Sequence, residues 1–298
     1  MKKYLIIILV IASFISAFGQ NEIDSLPRIA LTTIAQVNQG NSYITFPADI
    51  GNIETLWFEA NLIPNFYIRQ SKNSRLMGVL TPQIIIRMYQ EESYPVRTPS
   101  YMPQITVYYQ LRDLEKAKSL NLFGRFGHHS NGQEGSFYLE DNSLNLKSGS
   151  FATNFLELGL IVTNINSRFN AYQFFKTSFE IHSEGFIQEE LVGIYSRYRW
   201  HSAFSIFKLS SKNEANDPKK PAFSLKGEMT WMFGDYNNLD AISPDRINLK
   251  LTFYYHPKFL EDIGFFVQYY HGSDYYNMYF DHRLDVFRFG LMTEKLRF

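Results

Sequence analysis

Apolar and polar positions alternate along the chain from about residue 54 to its end. Successive side chains of a strand point to opposite faces, so this alternation predicts β-strands with one apolar and one polar face. Most segments are long enough to cross a bilayer as tilted strands, and turn residues such as "SKNS" and "NDPKKP" separate some of them. About twelve segments follow this pattern: 54–69, 75–90, 101–113, 118–130, 150–165, 169–182, 188–200, 201–211, 221–235, 246–257, 262–272 and 285–298.

The first twenty residues, "MKKYLIIILVIASFISAFGQ", have a different pattern. Two lysines precede an apolar run that ends in small residues, which predicts a secretory signal peptide over 1–19 with cleavage after Gly19. Beyond it, no stretch is apolar for the length of a membrane-spanning helix. We expect residues 20–53 to form a periplasmic lead-in and residues 54–298 to form the main domain.

Composition narrows the class of protein. The absence of Cys excludes disulfides, thiol catalysis and a lipidated N-terminal cysteine. Lys and Arg balance Asp and Glu at 29 each, and no dense basic stripe predicts a nucleic-acid partner. Aromatic residues make up 17% of the chain although its mean hydropathy is −0.23. That combination is typical of membrane β-barrels, which carry aromatic girdles outside and polar side chains in the lumen.

The end of the chain agrees with this class. "FGLMTEKLRF" has alternate apolar positions and a terminal Phe298, similar to the last strand of bacterial outer-membrane proteins. A closed barrel also leaves no unpaired strand edge in the bilayer. The sequence therefore predicts an all-β fold, a transmembrane antiparallel β-barrel of about 12 strands, in the outer membrane of a Gram-negative bacterium.

The stretch "FGRFGHHSNG" at 123–132 carries the candidate chemistry. Strand alternation puts His128 and Ser130 on the apolar, lipid-facing side and His129 on the lumen side. In the next strand Asn154 ends an apolar face in the same way. A histidine can accept the proton of a serine hydroxyl while an amide orients its ring, so the three residues form a candidate acyl-transfer site. Polar groups on a lipid-facing wall indicate function, because they are costly there.

Two observations give opposite directions for strand 118–130 across the membrane. Counted fourth from a periplasmic N-terminus, it runs inward, unless a short strand around 42–48 or a wrongly merged segment changes the parity. The connection 131–149 is long, and long loops of such barrels are extracellular. We therefore expect His128, Ser130 and Asn154 to lie at the extracellular end.

Three blocks of the sequence resemble segments of the outer-membrane phospholipase A family. "GHHSNGQEG" is similar to the family's H-x-S-N-G signature, and "GSDYYNMYFDHRLDVFRFGL" at 272–291 is like its last hairpin. The resemblance runs in order from about residue 42. "SYPVRTPSYMPQITVYYQL" at 93–111 matches a further family segment at these positions: Ser93, Pro95, Arg97, Tyr101, Pro103 and Gln104.

The resemblance implies a calcium-dependent phospholipase that hydrolyses acyl esters of membrane phospholipids and is active as a homodimer. By the family's pattern, Ser130 is the nucleophile, His128 the general base and Asn154 its orienter. The amide of Gly132 is then an oxyanion donor. The implied calcium ligands are Ser150, the backbone carbonyl of Gln133 and, from the other subunit, Ser93.

One departure from the family affects the calcium ligands. Ser130 and Asn154 are 24 positions apart, more than in the family pattern. Ser148 is therefore an alternative to Ser150. Because calcium prefers oxygen ligands, Glu134, Glu140 and Asp141 of the added stretch are further candidates.

Two other functions stay open at this point. A lipid A deacylase also carries H-x-S-N, but such barrels are shorter and use an acidic third member, whereas this chain has Asn154. A barrel without enzymatic activity, such as a porin or a structural protein, is the other alternative. The polar residues on the lipid-facing side argue against it.

Overall fold

The structure is a computed structural model that describes residues 29–46, 50–52, 54–72, 74–115, 118–209, 220–293 and 296. The described residues form one α-helix, α1 (Leu31–Gln39), and thirteen strand segments, with short 3-10 turns in the loops. The predicted signal peptide lies outside the described residues. The strands are β1 (Tyr43–Thr45), β2 (Leu56–Leu62), β3 (Phe66–Ile68), β4 (Leu76–Tyr89), β5 (Ser100–Glu115), β6 (Lys118–Ser130), β7 (Ala152–Asn166), β8 (Ala171–Ile181), β9 (Tyr198–Leu209), β10 (Pro221–Phe233), β11 (Ile247–Tyr255), β12 (Ile263–Ser273) and β13 (Arg283–Thr293).

The strands close into a barrel. Each strand from β4 to β13 pairs antiparallel with the next, and β1 joins β13 to β2. Segments β2 and β3 pair with successive parts of β4, so together they form one interrupted strand. The result is a closed antiparallel barrel of twelve strands, and the predicted fold class is confirmed.

The described strands alternate between the outer wall and the interior as predicted. On β6, Leu122 and Phe126 are exposed, whereas Asn121 and Phe123 are fully buried. Apolar side chains on the outside and polar side chains inside are the arrangement that suits a bilayer. Among the described residues, no helix is both long and apolar enough to cross a membrane.

The two ends of the barrel differ in their connections. At one end they include the short turn 167–170 between β7 and β8. At the other end they include two long loops, 131–151 between β6 and β7 and 182–197 between β8 and β9. The ends of β6 and β7 that carry His128 and Asn154 meet at the long-loop end. Strand β1 is the short strand that the parity argument required, and it makes β6 the fifth strand.

One predicted strand is wrong. Residues 188–200 do not form a strand of their own, because Leu191 and Tyr195 are buried in the loop between β8 and β9. That loop contains two 3-10 turns, Glu184–Phe186 and Glu189–Leu191, and the next strand begins only at Tyr198.

Helix α1 lies in the lumen at the short-turn end. Ile34 and Ala35 are fully buried and pack among inward-facing side chains of the wall, including Tyr108 and Phe123. The apolar residues recur at helical spacing, which gives α1 an apolar stripe toward this cluster. Asn38 donates a hydrogen bond of 2.7 Å to the hydroxyl of Tyr108 and so ties the helix end to β5.

Candidate active site

The pairing of β6 with β7 brings the predicted site residues to one patch of the outer wall. His128 lies directly opposite Asn154, and Ser130 lies opposite Ala152. On the other side of β6, Ser130 pairs with Tyr101 of β5. His128, Ser130 and Asn154 are half-buried, on the face that carries exposed apolar side chains such as Phe126. The site therefore opens on the outer surface of the barrel and not into its lumen.

A hydrogen bond of 2.8 Å joins His128 Nδ1 to Asn154 Oδ1. The other end of the amide, Asn154 Nδ2, donates to the backbone carbonyl of Phe186 at 3.1 Å. Only the NH₂ end of an amide can donate to a carbonyl, so Oδ1 must face the imidazole. Because Asn154 Oδ1 can only accept, the proton of the neutral ring must be on Nδ1, which donates to it. The neutral ring then has its lone pair at Nε2, as a general base needs.

Ser130 shares this face but is not bonded to the ring. In the described part of the chain, no hydrogen bond joins its hydroxyl to His128. The structure thus brings His128 and Asn154 into contact and leaves Ser130 two residues further along the same face. Nucleophile–base hydrogen bonds in enzymes without substrate are often long and tighten only when substrate is bound.

Gly132 follows the end of β6 with φ of +66°, a backbone conformation that favours glycine. Its amide donates to no acceptor in the ranges that the structure describes. A backbone N–H without a partner, two residues beyond a candidate nucleophile, is suited to stabilise a developing oxyanion.

Asn131, between Ser130 and Gly132, closes the base of the long loop. Its Nδ2 donates to Gly149 O at 2.7 Å, and its Oδ1 accepts from the amides of Phe151 and Gln133. The side chain is buried. In the sequence this asparagine stands out only as the Asn of the H-x-S-N-G block, which does not indicate that it closes a loop.

The added length of the 131–151 loop folds over the barrel mouth. Gly135 and Gly149 form a parallel bridge, and Phe137 and Phe151 pack with Tyr195 and Phe280 from other loops. Ser130 and Ala152 stay paired below it. The longer spacing between Ser130 and Asn154 therefore leaves the strand ends in register.

Two of the implied calcium ligands lie at the base of this loop. The backbone N–H of Ser150 donates to Gly135 O, and this bond holds Ser150 near the start of the loop, where Gln133 lies. Neither the Gln133 carbonyl nor the Ser150 hydroxyl has a hydrogen-bond partner among the described residues. Both oxygens are therefore unoccupied acceptors of the kind that hard cations prefer.

The alternative ligands differ in how they are bonded. Ser148 Oγ is already bonded to Asn145 Nδ2 at 3.1 Å. Asp141 accepts two hydrogen bonds from Ser143, and these lower the pKa of its carboxyl. Glu134 and Glu140 are exposed. In the described ranges, no three side chains of His, Cys, Asp or Glu are grouped in a way that could hold a metal.

Ser93 lies apart from this loop base, in the connection between β4 and β5. It is exposed, and its φ of +68° belongs to a tight turn that continues through Tyr94. Strand β5 follows this connection and pairs with Ser130 near its start, at Tyr101. An exposed position on the neighbouring connection is available to a second molecule.

The lumen side of the same strands carries different chemistry. His129 is buried and packs edge-on against Phe151, with ring centroids 4.7 Å apart. Glu157 is buried between Arg125 and Lys176, each 2.8 Å away. Both residues face away from His128 and Asn154, as strand alternation predicted. Glu157 is thus not placed to act as an acidic third member for His128.

Solved structures provide the comparison. Outer membrane phospholipase A from Escherichia coli superposes with a TM-score of 0.59 and 12% identity, covering 86% of this chain and 90% of that one. The chain has the fold of outer-membrane phospholipase A. An active-site mutant of the E. coli protein at pH 6.1 gives a TM-score of 0.59 at 11% identity, covering 93% and 95% of the two chains.

A third structure, the Salmonella typhi outer membrane phospholipase dimer with bound calcium, gives a TM-score of 0.54 at 12% identity, covering 86% of this chain and 91% of that one. No protein-family model and no curated protein matches the chain. The resemblance predicted from three sequence blocks is thus confirmed in the fold, which is that of outer-membrane phospholipase barrels.

Proposed function

We propose that the protein is a calcium-dependent outer-membrane phospholipase that hydrolyses acyl esters of phospholipids at His128, Ser130 and Asn154. The observation that carries the proposal is the His128–Asn154 hydrogen bond on the lipid-facing wall, with Ser130 on the same face. A polar group on this wall is costly unless it serves a function. The phospholipase fold of the barrel supports the same conclusion.

In the proposed reaction, Ser130 Oγ attacks the acyl carbonyl carbon while His128 Nε2 takes the hydroxyl proton. Asn154 holds the Nδ1–H of the ring and keeps Nε2 directed at the serine. The Gly132 amide donates to the oxyanion. Collapse breaks the ester bond, and His128 returns the proton to the departing alkoxide. Water, deprotonated by His128, then attacks the acyl-serine; the acyl–oxygen bond breaks, His128 returns the proton to Ser130 Oγ, and the fatty acid leaves.

Calcium bound by the Gln133 carbonyl and the Ser150 hydroxyl would supply positive charge beside the oxyanion. Ser93 of a second subunit would complete the ligand shell, which makes the active form a homodimer. Substrate reaches such a site laterally from the outer membrane, because Ser130 opens on the wall and not in the lumen.

The first test is hydrolysis of dispersed phospholipid by the purified protein with calcium or with a chelator. We expect release of fatty acid with calcium and none with chelator. Ser150→Ala is expected to raise the calcium concentration for half-activity by about tenfold, because one oxygen ligand is lost. Ser148→Ala is the matched control, since its hydroxyl is bonded within the loop.

Cross-linking in detergent tests the dimer, since calcium shared between chains stabilises their association by mass action. More dimer with calcium than with chelator is the expected result, and Ser93→Ala should reduce that difference. Hydrolysis by a strict monomer without calcium would contradict the metal and dimer proposals and leave the three site residues unaffected.

Asn154→Ala is expected to lower turnover by about tenfold to a hundredfold without abolishing it, because His128 and Ser130 can still meet. Initial rates at saturating lipid give the result. Glu157→Ala is the contrasting variant, since Glu157 lies in the lumen with Arg125 and Lys176. A silent Asn154→Ala combined with an inactive Glu157→Ala would favour the deacylase alternative with its acidic third member.

A further inference from the structure

Strand β8 ends before it reaches the site. Its last residue, Ile181, pairs with Leu156 of β7, so residues 152–155 of β7 extend beyond it. The loop that follows returns to this position: Ile187 forms an antiparallel bridge with Thr153. Residues 186–188, here called the clamp segment, therefore replace β8 as the neighbour of β7 at the height of Asn154.

The clamp segment forms hydrogen bonds with Ala152 and Asn154, the two residues of β7 that pair with Ser130 and His128. Gln188 forms two hydrogen bonds with Ala152. Its backbone N–H donates to Ala152 O at 3.1 Å, and its side-chain Oε1 accepts from the backbone N–H of Ala152 at 3.0 Å. Ala152 is the residue opposite Ser130. Two residues earlier in the segment, the Phe186 carbonyl accepts from Asn154 Nδ2 at 3.1 Å.

The side chain of Phe186 fixes the segment from outside. Its ring meets Phe126 of β6 edge-on, with centroids 6.5 Å apart. Since the Phe186 carbonyl lies beside β7, the ring must cross the outer face of that strand to reach β6. Aromatic contact and backbone pairing together hold the carbonyl at one place relative to Asn154.

We propose that the clamp segment sets the orientation of the Asn154 amide and, through it, the tautomer of His128, with Gln188 as a mutable positioning residue. The inference rests on the proposed acyl-transfer function for its kinetic consequences but not for the tautomer. It also accounts for an amide at position 154. A carboxylate has no N–H for the Phe186 carbonyl and would direct an oxygen at it.

The kinetic test compares Gln188→Ala with Gln188→Glu, which keeps an oxygen acceptor for the Ala152 amide. We expect Gln188→Ala to lower kcat about 3- to 10-fold, as for the loss of one ordinary hydrogen bond, with KM unchanged. Gln188→Glu should restore most of kcat. Gln173→Ala is the matched control, because Gln173 bonds Asn164 in β7 away from the site.

A double variant separates positioning from a general loss of structure. If Gln188 acts through Asn154, adding Gln188→Ala to Asn154→Ala should cause no further loss of kcat. Losses that multiply in the double variant, or no rescue by Gln188→Glu, would overturn the proposal.

Nitrogen-15 spectra of the His128 ring test the proposal without any assay of hydrolysis, with His128→Gln identifying its signals. We expect the Nδ1–H tautomer to predominate in the unaltered protein and to lose population in both Gln188→Ala and Asn154→Ala. An unchanged tautomer in Gln188→Ala would overturn the clamp even if the enzyme is active. The expected change in a barrel without hydrolytic activity would support the clamp and contradict only the proposed function.

Discussion

Ser130→Ala is expected to abolish phospholipid hydrolysis, with a loss of about a thousandfold or more, while the barrel stays folded. Removing the proposed nucleophile eliminates the acyl-enzyme path and leaves only the contribution of binding and oxyanion stabilisation. The fold should tolerate the change, because the Ser130 side chain makes no hydrogen bond in the described part of the chain. Fatty-acid release measures activity, and the mobility of unheated protein in gels reports the folded barrel.

His129→Ala is the control that tests the assignment of faces. His129 is next to His128 in sequence, but its ring is buried on the lumen side against Phe151. We expect activity within about threefold of the unaltered protein, together with some loss of stability from the vacated volume. Equal loss of activity in His129→Ala and His128→Ala would mean that the assignment of the two histidines to opposite faces is wrong.

The sequence was sufficient to predict the strand faces, because the period of two is a property of the strand itself. It placed His128 and Asn154 on one face, and the structure adds that they lie directly opposite each other. Register cannot be predicted from one strand alone, since it depends on the partner and on the connection between them. Here the loop 131–151 is long and folds separately, so its length contained no information on the pairing.

Other features had no readable signal. The clamp segment acts mainly through backbone groups, and a backbone carbonyl such as that of Phe186 can belong to any residue type. Residues 188–200 were wrongly predicted as a strand because Leu191 and Tyr195 are apolar for burial in a loop core, not on a barrel wall. Helix α1 is short, and its apolar stripe is matched only by side chains that converge in the lumen.

The barrel interior contains a cluster of ionic groups that closes its seam. Glu59 of β2 is fully buried and accepts hydrogen bonds from Arg87 of β4 at 2.8 Å and Arg288 of β13 at 3.0 Å. The hydroxyls of Tyr43 and Tyr275 donate to the same carboxylate. Strand β1 is only three residues long at this seam, between β2 and β13. The side-chain cluster therefore supplements the few backbone hydrogen bonds of closure.

Glu59→Ala is expected to destabilise the barrel by about 3–5 kcal/mol, because removing one member of a buried ion pair leaves the opposite charge uncompensated. Arg87 keeps its bidentate contact with Asp274, so the main loss falls on the Arg288 side of the cluster. The urea midpoint, followed by tryptophan fluorescence, measures the effect. Combining Glu59→Ala with Arg288→Met should recover part of the stability, because the excess buried charge is removed with its partner. An unchanged midpoint in Glu59→Ala would mean that backbone pairing alone closes the barrel.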